Sequence, residues 1–260
     1  MSHWQEYSSC WSSVRPPLLP SAEVTSRIVA LVGSQSQPVL LLGVTAELAR
    51  AFEQVSAVDK SSAMIAKVWP GDQMGKQARC ADWLELDGLD ERFAAIIGDG
   101  SLNNLAYPHE LTMLLARLLP FLRTGGRFVC RLYERPQEAF TLGDLHASTA
   151  GKTGIGFHGF KLQLALHLAA VQGPSIPVAM ILQYFNEMFP DRDALAAQSG
   201  WPRSVIDTMD LYKDSAEVYT FPSRQEFRAI LPQKIKDIRF ESCGNYDLSQ
   251  CCPILAFVKA

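Results

Sequence analysis

Long apolar runs are missing from the sequence. No stretch of 18 consecutive apolar residues occurs, and the first thirty positions carry Trp4, Glu6 and Arg15 rather than a basic start followed by an apolar centre. A membrane-spanning helix needs about 20 apolar residues, and a secretory signal needs that basic start. We therefore expect neither a membrane span nor a signal peptide, and we expect a cytoplasmic protein.

Paired cysteines are missing as well. The six cysteines include no CxxC pair, a spacing that marks many metal and redox sites. Several of the cysteines lie in apolar runs typical of strands. Free, buried thiols in a reducing cytoplasm are therefore favoured over disulfides or metal ligands, and the sequence predicts no metal site.

An excess of one charge is also missing. The chain has 24 Lys and Arg against 27 Asp and Glu, a formal net charge of −3. Composition therefore gives no support to a nucleic acid or an acidic membrane as a partner. The 48% hydrophobic and 20% charged residues are those of an ordinary globular protein, and 260 residues fit one large α/β domain with additions.

Between Pro38 and Tyr133, apolar runs alternate with helical patterns. The predicted strands are VLLLG, VSAVD, ARCADW, FAAIIGDG and GGRFVCRLY, and the predicted helices among them are TAELARAFEQ, SSAMIAKVW and ELTMLLARLLPFL. Another predicted helix, EVTSRIVALVG, precedes the first strand. Strands that alternate with helices in this way predict a parallel sheet with helices on both faces.

The alternation stops from about Arg135 to Tyr219. This stretch contains helical patterns such as FKLQLALHLAAV and PVAMILQYFNEMF, and it is too long for a connecting loop, so we predict a helical insertion. The final runs IKDIRFESC and PILAFVKA flank a turn around Gly244 and Asn245. They predict an antiparallel pair at the edge of the sheet.

We expect the whole chain to form a single domain. Its expected parts are an N-terminal helical flap (1–30), a cofactor-binding core (31–134), the helical insertion or lid (135–220) and the C-terminal strands (221–260).

Acidic residues stand at the ends of successive predicted strands. An open α/β sheet binds its ligand at the carboxyl ends of the strands. Asp59 follows Gly43 by sixteen positions, close to the spacing at which such folds place an acid on ribose hydroxyls; the alternative is a cap on the next helix. Asp82 can accept from an adenine amine while Trp83 forms an apolar wall, and the alternative for Trp83 is core packing. The fourth predicted strand ends at Asp99.

Four stretches together resemble a class I S-adenosylmethionine-dependent methyltransferase. In order they are VLLLGVTAELA, VSAVDKSSAMIAKVWPG, CADWLELDGLDERFAAIIGDGSLNNL and LLPFLRTGGRFVCRLY, and they span roughly Val39 to Tyr133. The resemblance implies an α/β fold with a Rossmann-like, doubly wound seven-stranded sheet that is mostly parallel and has an antiparallel C-terminal edge hairpin. It also implies S-adenosylmethionine as the cofactor and in-line methyl transfer. We expect a small-molecule acceptor, since no nucleic-acid module is visible.

The resemblance further implies which residues surround the cofactor. Those expected beside its methionine part and sulfonium are Gly43, Val44, Thr45, Asp99, Gly100 and Ser101. Those expected around its ribose and adenine are Asp59, Lys60, Met64, Asp82 and Trp83. At the sulfonium, the carboxylate of Asp99 would favour the cationic cofactor over its neutral product.

Three aromatic residues recur at helical spacing near the start of the chain. In HWQEYSSCW, Trp4, Tyr7 and Trp11 are three and four positions apart and would share one face of a helix. This face can simply pack on the sheet. Alternatively it forms a flap over the cofactor, as the resemblance implies, and Tyr7 and Trp11 then contact the cofactor.

The loop after the first strand departs from the family's pattern. Leu41 occupies the usual place of an acid that anchors the cofactor's amino group, and Thr45 and Glu47 stand where glycines are usual. We expect weaker cofactor binding, or a contact between Glu47 and the amino group from across the turn. The alternative for Glu47 is an acid in the first helical turn, favoured by the helix dipole.

The acceptor is expected beneath the insertion and the loop after Ser101. That loop contains Asn103, Asn104, Tyr107 and His109, and the histidines in or near the insertion are His146, His158 and His167. A single histidine is more often structural than catalytic, so we assign none of them as a catalytic base, and the catalytic residues stay unknown.

Two other functions stay open. A non-catalytic protein that binds S-adenosylmethionine, acting as a sensor or partner subunit, is motivated by the glycine-poor loop. A nicotinamide-dependent oxidoreductase is disfavoured, because GxGxxG is absent and the edge hairpin belongs to the methyltransferase pattern.

Overall fold

A seven-stranded sheet forms the centre of the fold. The computed structural model describes residues 3–88 and 92–260. The strands are β1 (Val39–Leu42), β2 (Val55–Asp59), β3 (Lys76–Cys80), β4 (Phe93–Asp99), β5 (Leu122–Arg131), β6 (Ser175–Pro177), β7 (Val218–Thr220), β8 (Ile235–Glu241) and β9 (Ile254–Lys259). The main sheet has the order β3-β2-β1-β4-β5-β9-β8. Strands β1 to β5 pair in parallel, whereas β9 is antiparallel to both β5 and β8.

Helices cover both faces of this sheet. They are α1 (His3–Tyr7), α2 (Ala22–Val32), α3 (Ala46–Ala51), α4 (Ser62–Val68), α5 (His109–Leu118), α6 (Leu142–Ser148), α7 (Phe157–Gln172), α8 (Val178–Met188), α9 (Arg192–Ser199), α10 (Arg203–Ile206) and α11 (Arg224–Ala229). Val39 and Leu41 of β1 pack with α2, α3 and α4 on one face. Leu40 and Leu42 pack with α5 and α11 on the other. The expected Rossmann-like α/β fold, with its antiparallel C-terminal hairpin, is confirmed.

The stretch between β5 and β8 is mostly helical, as predicted. Its helices α6 to α10 form most of one hydrophobic cluster, in which Phe160 contacts both Phe185 and Trp201 and which Cys251 and Cys252 also join. The short strands β6 and β7 form a separate antiparallel pair within it, which the apolar pattern did not predict. The insertion is therefore a packed layer beside the sheet.

The third strand differs from its prediction. It was expected over ARCADW, but β3 ends at Cys80, and a 3₁₀ turn follows at Trp83–Glu85. Asp82 precedes this turn and accepts a hydrogen bond from the backbone N–H of Leu84 at 2.8 Å. This local cap competes with strand pairing and ends the strand early.

The N-terminal helix is shorter than expected. Helix α1 stops at Tyr7, and Ser8–Ser13 forms a 3₁₀ turn. Hydroxyls along this segment donate to nearby carbonyls, as when Ser8 Oγ donates to Gln5 O at 2.7 Å, and such bonds oppose continuation of an α-helix.

Two further observations concern the described residues. Within 3–88 and 92–260, no helix is long and apolar enough to cross a membrane. The six cysteines are free, and Cys130, Cys251 and Cys252 are buried.

Candidate functional site

Two adjoining cavities open at the carboxyl ends of β1, β2 and β4. The first, which we term the strand-end cavity, measures about 700 Å³ including its mouth. It is lined by Trp4, Trp11, Leu42, Gly43, Val44, Thr45, Asp59, Lys60, Met64, Asp82, Trp83, Asp99, Ser101 and Asn104. The second, termed the aromatic cavity, measures about 730 Å³ including its mouth. It is lined by Trp4, Tyr7, Trp11, Leu18, Thr45, Asp99, Gly100, Asn103, Asn104, Tyr133, Lys161, Leu162, Ala165, Ile181, Tyr212, Tyr219 and Phe221.

Every residue predicted to contact the cofactor lines one of these two cavities. Trp11, Thr45 and Asp99 line both, so they lie where the cavities meet. The carboxyl ends of neighbouring parallel strands share one edge of a sheet, which brings these residues together. Their contact with a cofactor stays a prediction.

Gly43 forms the floor of the strand-end cavity. Its φ is +96°, a left-handed conformation that side-chain-bearing residues rarely adopt. A Cβ added here would point toward Asp59 Oδ2, at 3.8 Å, and Trp83 Cζ2, at 4.0 Å. The glycine therefore leaves open the gap between these two side chains.

Asp59 presents a carboxylate to this gap. Its Oδ1 accepts the backbone N–H of Ser61 at 2.8 Å. Burial raises the pKa of Asp59 to about 6, although the Ser61 hydrogen bond and the charge of Lys60 act in the opposite direction. Asp59 is therefore ionised at neutral pH and can accept hydrogen bonds from ligand hydroxyls.

Trp83 and Met64 supply apolar walls to the same cavity. The indole Nε1 of Trp83 donates to Val58 O at 2.6 Å, which fixes the ring beside the end of β2. Met64 is buried at the start of α4. Asp82 lies at the rim, where it is exposed and caps the turn after β3. These side chains can enclose a flat heterocycle with a polar edge.

The carboxylate of Asp99 is paired with a cation inside the protein. Both of its oxygens accept hydrogen bonds from Arg131, whose Nη2 lies 2.9 Å from Oδ2. Arg131 is fully buried on the adjacent strand, and Tyr133 and Tyr246 pack over its guanidinium. Arg131 therefore offsets within the protein the carboxylate charge that was expected to favour a cationic cofactor, and this role of Asp99 stays a prediction.

The turn after β4 is fixed to the neighbouring strands. Ser101 Oγ donates to Leu42 O at 2.6 Å, which joins this turn to the end of β1. Gly100 has φ +64°, and a Cβ there would lie 2.8 Å from the ring of Tyr133. Both residues therefore shape the wall between the cavities.

The N-terminal segment covers both cavities. Trp4, Tyr7 and Trp11 stack edge to face in sequence, with ring centroids 5.7 Å and 6.0 Å apart. His3 anchors the segment to the insertion, because Nδ1 lies 3.0 Å from Ser215 Oγ and Nε2 lies 2.8 Å from Tyr219 Oη. The segment thus packs over the site as well as against the fold.

Of the two residues noted around the opening loop, Leu41 lies within β1 as predicted, whereas Glu47 lies elsewhere than expected. Leu41 is fully buried in the core beneath the sheet. Glu47 lines neither cavity; it lies in a separate cleft beside Ser12 and Arg15, and its buried Oε2 has no hydrogen-bond partner. The expected contact of Glu47 with the amino group is therefore not supported, because the helix directs its side chain away from both cavities.

Only two of the four residues named in the predicted acceptor loop line the aromatic cavity. Asn103 and Asn104 line the aromatic cavity, whereas Tyr107 and His109 do not. His146, His158 and His167 line neither cavity. His167 is bound instead by Phe140 O and Tyr184 Oη, at 2.6 Å and 3.1 Å, a structural role.

Lys161 is the residue that sequence reasoning missed. It lies on α7, is 3% exposed and lines the aromatic cavity. Its Nζ lies 5.1 Å from the centroid of the Tyr7 ring and 4.4 Å from that of Tyr212. Burial lowers its pKa to about 7. The available signal was a single lysine in the apolar run FKLQLALHLAAV.

Metal ligands do not cluster in the described part of the chain. Residues 3–88 and 92–260 contain no group of three or more His, Cys, Asp or Glu side chains arranged to hold a metal ion.

The strand order and the cavities define an α/β protein with a ligand site at the carboxyl ends of its strands. The dinucleotide-binding fold of dehydrogenases has the order 3-2-1-4-5-6, whereas here the antiparallel β9 stands between β5 and the edge strand β8. The likeness to solved structures agrees with this description.

No protein-family model and no curated sequence matches the chain. Among solved structures, the CcbJ methyltransferase from Streptomyces caelestis is similar over 100% of this chain and 98% of its own, with 12% identity and a TM-score of 0.59. An amino pentose methyltransferase from Micromonospora echinaspora, with bound S-adenosylmethionine, is similar over 99% and 92%, with 13% identity and a TM-score of 0.52.

A third similar structure carries a different description. It is a Rhodobacter sphaeroides protein described as a candidate zinc-dependent alcohol dehydrogenase, similar over 99% of this chain and 97% of its own, with 10% identity and a TM-score of 0.63. At these identities the likeness establishes a shared fold and leaves the chemistry to the residues of the site.

Proposed function

We propose that this protein is an enzyme that uses S-adenosylmethionine to methylate a small molecule. The observation that carries the proposal is the pairing of Asp59 with Gly43. The buried carboxylate faces a gap that a Cβ on residue 43 would enter, and Trp83 forms its side. A nucleoside fits such a gap, because its ribose hydroxyls can donate to the carboxylate while its base packs on the indole.

The lining residues fit the rest of the cofactor in the same order. In this proposal Met64, Trp83 and Asp82 hold the adenine, and Asp59 with Lys60 holds the ribose. Gly43, Val44 and Thr45, with Asp99, Gly100 and Ser101, surround the methionine part. Tyr7 and Trp11 cover it. Lys60 lines the strand-end cavity, but its Nζ is already paired with the Glu217 carboxylate at 3.0 Å.

The cofactor would supply an electrophilic methyl group for in-line transfer. The chain's own contribution is binding, alignment and exclusion of water, effects that can account for much of the rate of a direct displacement. Tyr7 and Trp11 close the site on one side, and the insertion encloses the aromatic cavity where an acceptor would bind. The turn at Ser101, which a hydrogen bond holds to the end of β1, fixes the position of the two cavities relative to each other.

A protein that binds S-adenosylmethionine without catalysis is the second candidate. Leu41 lies in the core and Glu47 points away from both cavities, so neither replaces the missing acid of the opening loop. Such a protein would bind the cofactor weakly and show no turnover. A nicotinamide-dependent oxidoreductase is less favoured, because β9 interrupts the dehydrogenase strand order.

We also propose that residues 1–260 act as one domain with the divisions expected from the sequence. Residues of the N-terminal segment 3–18 line the aromatic cavity, which supports a flap. The hydrophobic cluster formed mostly by α6 to α10 supports an insertion or lid. A cytoplasmic location remains part of the proposal, and the six free cysteines support it.

Thermal unfolding with added ligands tests the proposal. S-adenosylmethionine and S-adenosylhomocysteine should each raise the stability of the wild type, by about 2.7 kcal/mol at one hundred times the dissociation constant. NADH should not. The Asp59→Ala variant should lose this stabilisation. A shift with NADH alone would overturn the proposal, and binding without methyl transfer to a broad acceptor panel would favour the second candidate.

A further inference from the structure

The aromatic cavity contains a buried amine that has no hydrogen-bond partner among the described residues. Lys161 Nζ forms no hydrogen bond within the described residues, and Lys161 is 3% exposed. The rings of Tyr7 and Tyr212 flank the amine, and cation–π contacts offset only part of the cost of burying a charge. A ligand in the cavity can supply the missing partner.

The ionisable side chains around Lys161 are held neutral near pH 7. They are Tyr7, Tyr212, Cys10, His3 and His158. Burial raises the pKa of both tyrosines and of the Cys10 thiol above their ordinary values. Burial also lowers the pKa of His3 and of His158 to about 4. None of these groups is an anion at neutral pH.

The carboxylates closest to the aromatic cavity are paired with other cations. Asp99 lines the aromatic cavity but is held by Arg131. Glu217 lies close enough to His3 to influence its pKa, and its carboxylate pairs with Lys60. The described chain therefore directs one amine, and no unpaired carboxylate, toward the acceptor side of the site.

On the basis of the proposed methyltransferase function, we propose that Lys161 binds an acidic oxygen of the acceptor. The acceptor is then a flat, apolar molecule that carries a carboxylate or a phenolate. An anionic oxygen stabilises the ammonium form of Lys161 and satisfies its unpaired donors. An ammonium-bearing acceptor would meet a like charge instead.

The walls of the aromatic cavity support the flat, apolar part of this description. Trp4, Tyr212, Tyr219 and Phe221 present aromatic rings, and Ile181 adds an aliphatic surface. Aromatic rings favour offset or edge-to-face contact with another ring. The volume of about 730 Å³ lies within the range of small-molecule sites.

Fragment binding provides a test that does not require the natural acceptor. The probes are benzoate, 4-nitrophenolate, benzamide and benzylamine, which share a ring and differ in one polar group. Binding is measured by ligand-observed NMR and by intrinsic tryptophan fluorescence, both with and without S-adenosylhomocysteine. We expect benzoate or 4-nitrophenolate to bind at least about tenfold more tightly than benzamide, as for a hydrogen bond to a charged group. Benzylamine should bind most weakly.

Substitutions at Lys161 connect this preference to the amine. Lys161→Met should abolish the preference for the anions and leave benzamide binding unchanged, and Lys161→Arg should retain it in part. Gln163→Met, which removes a buried polar group from the same helix outside both cavities, is the matched control and should retain it fully. The affinity for S-adenosylhomocysteine should be the same in all variants.

Each other outcome has a defined meaning. Tighter binding of benzylamine, or no binding of any fragment, overturns the acceptor class. A preference for anions that persists in Lys161→Met overturns the role of Lys161. A loss of S-adenosylhomocysteine affinity in Lys161→Met assigns the residue to the cofactor instead. Failure of the wild type to bind S-adenosylhomocysteine contradicts the proposed function separately, because fragment binding is also measured without it.

Discussion

Asp99 and Arg131 form a buried ion pair at the junction of the two cavities. They lie opposite each other in the register of β4 and β5, and the guanidinium donates to both carboxylate oxygens. The wall of the site is therefore held by a charge pair that spans two strands.

Loss of Arg131 should destabilise the protein strongly. The Arg131→Met variant leaves the Asp99 carboxylate buried without a counter-ion, which costs about 3–5 kcal/mol. Urea unfolding followed by circular dichroism measures this cost. The Asp99→Asn, Arg131→Met double variant should recover part of the loss.

An exposed ion pair is the control for this prediction. Arg27 and Glu241 also pair, but both side chains reach solvent. Arg27→Met should therefore cost less than about 1 kcal/mol. Equal costs for Arg27→Met and Arg131→Met would contradict the structural role of the buried pair.

Gly43→Ala should impair ligand binding as well as stability. The left-handed φ of +96° makes alanine unfavourable by about 1 kcal/mol, and the added Cβ enters the gap between Asp59 and Trp83. We expect the affinity for S-adenosylhomocysteine to fall by about tenfold or more, measured by calorimetry.

Gly33 offers a matched control for backbone strain. Its φ is +85°, and a Cβ there would meet nothing within 4 Å. Gly33→Ala should therefore reproduce the loss of stability and leave the affinity unchanged. Similar affinity losses in both variants would mean that Gly43 does not face the ligand.

The affinity for S-adenosylhomocysteine should fall as the pH drops below about 6. Protonation of Asp59, with its pKa of about 6, removes the negative charge that accepts the ribose hydroxyls. Asp59→Asn should bind about tenfold to a hundredfold more weakly at pH 8, with a flatter pH dependence. Calorimetric titrations from pH 5 to pH 8 test this.

The Asp59→Asn substitution should also stabilise the protein in the absence of ligand. Because the folded pKa of Asp59 lies above its ordinary value, the folded state binds more protons between the two values, and its stability falls as the pH rises through that window. Asp59→Asn should therefore gain about 1–3 kcal/mol at pH 8. Glu53→Gln, at the opposite end of β2, should alter neither quantity; weaker binding in this control would indicate a nonspecific charge effect.

Acidification should release the N-terminal segment. Burial lowers the pKa of His3 from 6.5 to about 4, so the unfolded state binds the proton first. The stability contributed by neutral His3 is complete above pH 6.5 and is lost as the pH falls from 6.5 toward 4. The difference in tryptophan fluorescence between the wild type and a Trp4→Phe, Trp11→Phe variant, followed across this range, reports the release.

Replacing His3 should remove part of this pH dependence. His158 titrates in the same window, so His3→Asn should flatten the fluorescence change more than the overall unfolding curve. His146→Asn, at an exposed position, is the control. An unchanged fluorescence titration in His3→Asn would show that another group anchors the segment.

The sheet and the strand-end cavity could be predicted because they follow from local patterns. Alternating strands and helices determine a parallel sheet, and parallel strands carry their terminal residues to one edge. Gly43, Asp59 and Ser101 therefore come together in space although none of them is close to the others in the chain.

The unpredicted features depend on contacts between distant elements. Arg131 could be assigned to Asp99 only once the register of β4 and β5 was known. Lys161 could be recognised as unpaired only when the packing of α7 against Tyr7 and Tyr212 was seen. The predicted end of β3 was wrong because the Asp82 side chain caps the following 3₁₀ turn. This hydrogen bond competes with strand pairing, and an apolar pattern does not reveal it.

The anchoring of His3 has a consequence for the order in which the site is completed during synthesis. The residue that fixes the start of the chain binds Ser215 and Tyr219, which the ribosome adds more than two hundred residues later. The sheet can assemble from earlier residues, but the N-terminal segment cannot reach its place until most of the chain exists. The N-terminal segment thus settles over the cavities only after the residues that anchor it have been made.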